Sequence, residues 1–124
     1  MPEIRVVFYK EANGSVPTQD WLNRLNRRAQ AKCRWLIERL QERGHEFRRP
    51  QADYLRDDIY ELRTRIGNVR YRMLYFFHGN VAAVISHGIT KKMAEVPPRE
   101  IARAIRRKKQ FEQNPEQHIQ EIEL

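Results

Sequence analysis

The chain is poor in the features that staple small proteins together or send them out of a cell. Of its 124 residues one is cysteine, Cys33. That excludes an internal disulfide and a multi-cysteine zinc site and makes a reducing, cytoplasmic setting the expectation. Apolar runs such as VAAVI at 81–85 are far too short to span a bilayer, so no membrane partner is expected. The opening MPEIRVVFYK lacks the charged-then-apolar plan of a secretory signal. P-loop, dinucleotide and His-Glu zinc motifs are missing, and the acids do not cluster as a two-metal nuclease requires; Asp57-Asp58 reads as a turn. No cofactor or metal is therefore expected. Any phosphodiester cleavage would be metal-independent, which restricts it to RNA and its 2′-hydroxyl. Neither an internal repeat nor a linker interrupts the chain. The expectation is a single domain over 1–112 and a polar, acidic tail over 113–124 that frays.

Basic residues are absent after Lys109, whereas four acids lie beyond it. Up to Phe111 the chain thus sets 24 basic residues against 12 acidic ones, a net +12. Such a charge on a small domain suits a polyanionic partner, nucleic acid or a ribosome above all, although a solubilising surface gives the same count. Eighteen of the cations are arginine and six lysine, and arginine holds phosphate in a fork.

The β-branched and aromatic run Ile4–Tyr9 predicts a strand. Pro17 suits a first helical turn. Trp21, Leu22, Leu25 and Ala29, then Cys33, Leu36, Ile37 and Leu40, recur at helical spacing and predict helices over 17–25 and 27–43, the second capped by Asn26 and ended by Gly44. Cys33 belongs to that apolar stripe and reads as core. From Tyr54 the period becomes two. A short strand at 54–56 precedes strands at 59–66, 69–78 and 81–90, the last three joined by the two-residue loops Gly67-Asn68 and Gly79-Asn80, each suited to a type II′ turn. Pro97-Pro98 opens a last helix. The class is α+β: an antiparallel sheet of about four to five strands, two N-terminal helices on one face and a C-terminal helix.

The two hairpins act as rulers. With two-residue loops, Arg65 faces Arg70, Arg63 faces Arg72, and Arg72 faces His87, so that Arg63, Arg72 and His87 form one row, with Lys91 on the same face beyond the strand end. Leu74, Phe76, Ala83 and Ile85 would share that face and lie under the last helix. Like charges set opposite one another destabilise a sheet, and a bound phosphate chain would account for them. A neutral His87 beside arginines could move a proton to or from a ribose hydroxyl. His45, His78 and His118 have no such company.

Residues 57–111, with their ELR, YRMLYFF, ISHGITKK and PPREIARAIRRK segments, resemble the RelE/ParE superfamily of bacterial toxins, closest to the phage-derived, HigB-like branch, and the likeness extends over about 4–112. The resemblance implies the RelE-like fold: two helices against an antiparallel sheet, then a last helix. It also implies the toxin of a type II toxin–antitoxin pair, a metal-independent endoribonuclease that cuts mRNA in the ribosomal A site and is neutralised in a hetero-oligomer by a helix-turn-helix antitoxin. By position, Arg63, Arg72, His87 and Lys91 fall on the catalytic set, and Arg65, Arg70 and Lys92 on neighbouring RNA contacts. No tyrosine follows GITKK, where RelE carries a catalytic one, and this shifts the burden to His87. ParE-like gyrase inhibitors, or a basic nucleic-acid-binding regulator, are the non-catalytic alternative.

Overall fold

In the computed structural model, which describes residues 3–80, 82–92 and 94–122, the helical and alternating stretches of the sequence become two layers on one sheet. The chain runs β1 (Arg5–Tyr9), α1 (Pro17–Asn23), α2 (Arg27–Arg43), β2 (Ala52–Arg56), β3 (Ile59–Ile66), β4 (Val69–His78), β5 (Ala82–Lys91), α3 (Pro98–Gln113) and β6 (Ile119–Glu121). Pro17 opens α1, where its missing N–H costs nothing. The Asn26 side chain accepts from the Ala29 N–H at 2.9 Å and so separates α2 from α1. Gly44, at φ +54, ends α2 in a left-handed conformation that suits glycine. Among the described residues no helix is long and apolar enough to cross a membrane.

The sheet has six strands in the order β2-β3-β4-β5-β1-β6. This corrects the expected four to five antiparallel strands: β1 lies parallel to β5, from Arg5↔Ala82 to Phe8↔Ile85, and the sheet is mixed. The continuous apolar run of β1 is the physical reason. Val6 and Phe8 enter the core under α1 and α2, while Val7 and Tyr9 enter the core under α3, so the strand needs cover on both faces and a neighbour on each side. The second neighbour is β6, antiparallel to β1 with Tyr9 opposite Ile119. The tail therefore does not fray up to residue 122. His118 is buried, stacks on Tyr9 at 4.9 Å between centroids, and its Nδ1 donates to the Lys10 carbonyl at 2.7 Å.

The helix-side core gathers Leu36, Leu40, Leu62 and Met73; the α3-side core gathers Leu74, Phe76, Val84 and Phe111. Ala83 and Ile85 lie in the helix-side core, not beneath α3 as expected. Asp57 and Asp58 both take positive φ, +52 and +63, which is the type I′ hairpin turn.

Candidate nucleic-acid interface

The first hairpin has the register its Gly67-Asn68 loop predicts: Arg65↔Arg70, Thr64↔Tyr71, Arg63↔Arg72. Gly67 takes φ +59 and Asn68 is not among the residues with positive φ, as a type II′ turn requires. Arg63, Arg65, Arg70 and Arg72 thus share one face, because facing residues and every second residue along a strand point the same way.

The second hairpin departs from prediction twice. His78 pairs with Ala82, so three residues lie between them rather than two. Then the register shifts between Tyr75↔Ile85 and Leu74↔His87, a bulge with Ser86 as the extra residue. It falls where β1 leaves the sheet, one residue after its last partner, Ile85. The first offset turns Ala83 and Ile85 away from the arginines; the bulge turns His87, Ile89 and Lys91 back toward them. Facing Arg72 is therefore Ile89, facing Arg70 is Lys91, and facing Leu74 is His87. His87 sits two residues, ~7 Å along the strand, from its expected place.

Three rows result on this face: Arg65–Arg70–Lys91, Arg63–Arg72–Ile89 and Glu61–Leu74–His87. The four arginines of the first two rows, Arg63, Arg65, Arg70 and Arg72, line an open hollow of about 590 Å³ together with Pro50, Thr64 and Ala94. Among the described residues no ion pair or side-chain hydrogen bond engages Arg65, Arg70, Lys91 or Lys92. Arg65 and Lys92 are exposed, and Arg70 and Lys91 half-buried.

The second row is held. Glu61 is 3% exposed; one of its oxygens accepts from Arg72 Nη1 and the other lies 3.5 Å from Arg63 Nη1. Arg72 is itself 7% exposed, and its Nη2 donates to the Ala94 carbonyl, while its buried Nε has no partner among the described residues. Arg63 Nε donates to the Pro50 carbonyl at 2.8 Å, and its Nη1 lies 3.6 Å from Asp53. The Arg63–Arg72 pair thus needs no bound phosphate to offset its repulsion, since Glu61, with Asp53 beside Arg63, neutralises it within the protein. Alternation along ELRTR places Glu61 on the arginine face, and that signal was available in the sequence.

His87 belongs to a different neighbourhood. It is 5% exposed and packed beneath α3. Nε2 lies 3.1 Å from the Glu100 carboxylate, an acceptor, so Nε2 carries the proton and Nδ1 accepts from the Ser86 hydroxyl at 2.8 Å. Burial, and next the Arg107 guanidinium, push its pKa down to about 4. The imidazole is therefore neutral, as expected, but burial rather than Arg72 makes it so. Arg107 reaches Glu11 at 2.9 Å and the Ser86 carbonyl at 3.3 Å, with its own pKa lowered by burial. The hollow that His87 does border, about 400 Å³, is lined also by Glu11, Trp21, Arg24, Arg103 and Arg107. The structure thus brings Arg63, Arg65, Arg70 and Arg72 together with Lys91 at one sheet end and does not bring His87 to them.

Burial pushes the Cys33 thiol up to about 12, which leaves it inert. Among the described residues, no group of three or more His, Cys, Asp and Glu could hold a metal ion.

Residues 20–109 match the model of a family described as Phage derived protein Gp49-like (DUF891). No curated protein matches the chain.

Proposed function

We propose, from the premise that this chain belongs to the phage-derived Gp49-like family of RelE- and toxin-like proteins, that it is a toxin acting on RNA: a ribosome-dependent, metal-independent endoribonuclease of the HigB-like kind, neutralised by a helix-turn-helix antitoxin. The observation that carries this reading is the row Arg65–Arg70–Lys91, three cations on neighbouring strands with no counter-ion among the described residues, of which Arg65 and Arg70 line an open hollow and Lys91 faces Arg70. Phosphates of a single strand would neutralise that row. Arg63 and Arg72, fixed by Glu61, Asp53 and the Pro50 carbonyl, would offer preorganised N–H donors to the charge that grows on the scissile phosphate.

In the reaction, the ribose 2′-hydroxyl would give its proton to solvent water and its oxygen would attack phosphorus, forming a 2′,3′-cyclic phosphate as the bond to the 5′-oxygen breaks. The Lys91 ammonium would donate a proton to that leaving oxygen. Lys92 would meet the next phosphate. Among the described residues the hollow carries donors but no free general base, since His87 is held beneath α3. A site of this kind depends on an outside agent to align the 2′-hydroxyl in line, and the ribosomal A site supplies such alignment. The engagement of both Arg72 and His87 inside the protein also favours a second reading, a non-catalytic ParE-like inhibitor or nucleic-acid binder using the same cations.

Mapping transcript ends after induced expression separates the two. Cuts within translated codons that vanish in Arg70→Ala and Lys91→Ala support the nuclease; loss of the Lys91 general acid should slow cleavage ~10²–10⁴-fold. Intact transcripts with gyrase-linked DNA breaks would replace it with the second reading.

A further inference from the structure

The outer face of α2 carries a feature that the hollow does not explain. Its buried stripe, Ala29, Cys33, Leu36, Ile37 and Leu40, packs on the sheet face opposite the arginine rows. The solvent side repeats at the same helical spacing: Arg27 and Arg28, Ala31, Arg34 and Trp35, then Glu38 and Glu42. Trp35 is 47% exposed, one of two large hydrophobic residues so placed among the described ones. A tryptophan in water exposes a large apolar area for no folding gain. Helical side chains lean toward the N-terminus, and one turn back on this face stands Ala31, with only a methyl to offer as cover. Arg39, at 5.5 Å from the ring centroid, covers it from the other end and is paired with Glu42 at 2.5 Å.

Among the described residues no ion pair or hydrogen bond engages the side chains of Arg27, Arg28 or Arg34. Arg24, in the turn before α2, is likewise exposed and unpaired. Four unpaired guanidiniums on and just before the helix that carries a half-exposed indole match an unpaired nucleic-acid strand, which offers phosphates at regular spacing and a base to stack. An apolar protein partner would need a wider apolar patch than one indole. A duplex would meet the arginines but leave its bases inside the stack, so the exposed tryptophan favours a single strand.

We infer that the outer face of α2 is a second RNA contact, with backbone phosphates on Arg27, Arg28 and Arg34 and one base stacked on Trp35. It lies across the sheet from the hollow. The same molecule can therefore touch a large folded RNA at two places, and a short strand only at one.

The test uses the full chain and a short unstructured RNA oligonucleotide. Trp35→Ala should weaken binding ~5–100-fold, the usual range for one lost base stack, while Trp35→Phe stays within a few-fold. Arg28→Ala with Arg34→Ala should lower the slope of log affinity against log salt by about one to two. Tryptophan emission should fall on RNA addition in the wild type and not in Trp35→Phe, since Trp21 is buried. Arg65→Ala with Arg70→Ala serves as the separate probe of the hollow. If the α2 variants bind RNA and melt like wild type, the inference is overturned. If they bind RNA normally but escape neutralisation by a protein partner, the face belongs to that partner and the inference is likewise overturned. If the α2 variants lose affinity while the hollow variants do not, the inference stands and the proposed site in the hollow falls.

Discussion

Replacing Glu61 by glutamine tests the arrangement that makes the arginine rows possible. The change keeps shape and volume and deletes one charge. In the wild type that charge faces Arg72, 7% exposed, and lies 3.5 Å from Arg63 Nη1. Removing one partner of a buried pair typically costs ~3–5 kcal/mol, because the other charge stays buried without compensation. Here the glutamine carbonyl can still accept one Arg72 N–H, and the Ala94 carbonyl keeps another, so the low end applies, about 3 kcal/mol. For 124 residues the unfolding entropy is about 0.25 kcal/mol per degree, which turns this cost into a fall in Tm of about 12 °C. Thermal unfolding followed by circular dichroism reads it. Glu61→Leu with Arg72→Met should recover most of the loss, since an apolar pair of similar size avoids desolvating either charge. RNA affinity in Glu61→Gln, measured well below Tm, should rise, because a carboxylate beneath the cationic rows is gone; general unfolding would lower it. A Tm within about 2 °C of wild type would refute the claim that Glu61 holds the arginines in place.

Stability should fall as pH drops from about 6.5 to about 4. The His87 pKa is lowered to about 4 in the fold, so in that window the unfolded chain binds a proton that the folded one refuses; the stabilisation is complete above 6.5 and is lost as pH falls, with a slope of about 1 kcal/mol per pH unit. His87→Gln should flatten this part of the profile in urea titrations at successive pH values. Gly88→Ala should destabilise by ~1–3 kcal/mol, since an added Cβ would sit 2.1 Å from the Trp21 ring; equal midpoints in urea would show that the indole moves aside freely.

The sequence made the first hairpin readable and misled on the second, and the difference is physical. A two-residue loop that begins with glycine determines register when nothing else disturbs the ladder, as at Gly67-Asn68. At Gly79-Asn80 the same dipeptide opens a connection one residue longer, and a bulge at Ser86 follows. That bulge answers to β1, which pairs with β5 only up to Ile85, and to Arg107, which reaches the Ser86 carbonyl from α3. Both are contacts between distant segments, and no local pattern encodes them. The two one-residue offsets restore the side-chain parity, so His87 and Lys91 face the expected way while their partners change: Lys91 gains Arg70, and His87 loses Arg72.

Composition misread the tail for a related reason. Polar residues past Phe111 describe a surface, but β6 is an edge strand whose contribution is largely backbone pairing to β1, and pairing of that kind leaves little trace in hydropathy. One anchor was visible as a residue and not as a role: His118, whose ring covers Tyr9 and whose Nδ1 donates to the Lys10 carbonyl. Glu61 is the opposite case, because alternation alone puts it two positions from Arg63 on the same face. Counting cations along that face without the acid between them makes the rows look like repulsion awaiting a ligand. With the acid included, the second row is an internally neutralised support, and the charge left over for a partner is Arg65, Arg70, Lys91 and Lys92. The demand for an external anion therefore moves to the open end of the sheet, where a passing strand can reach it without dismantling the buried pair.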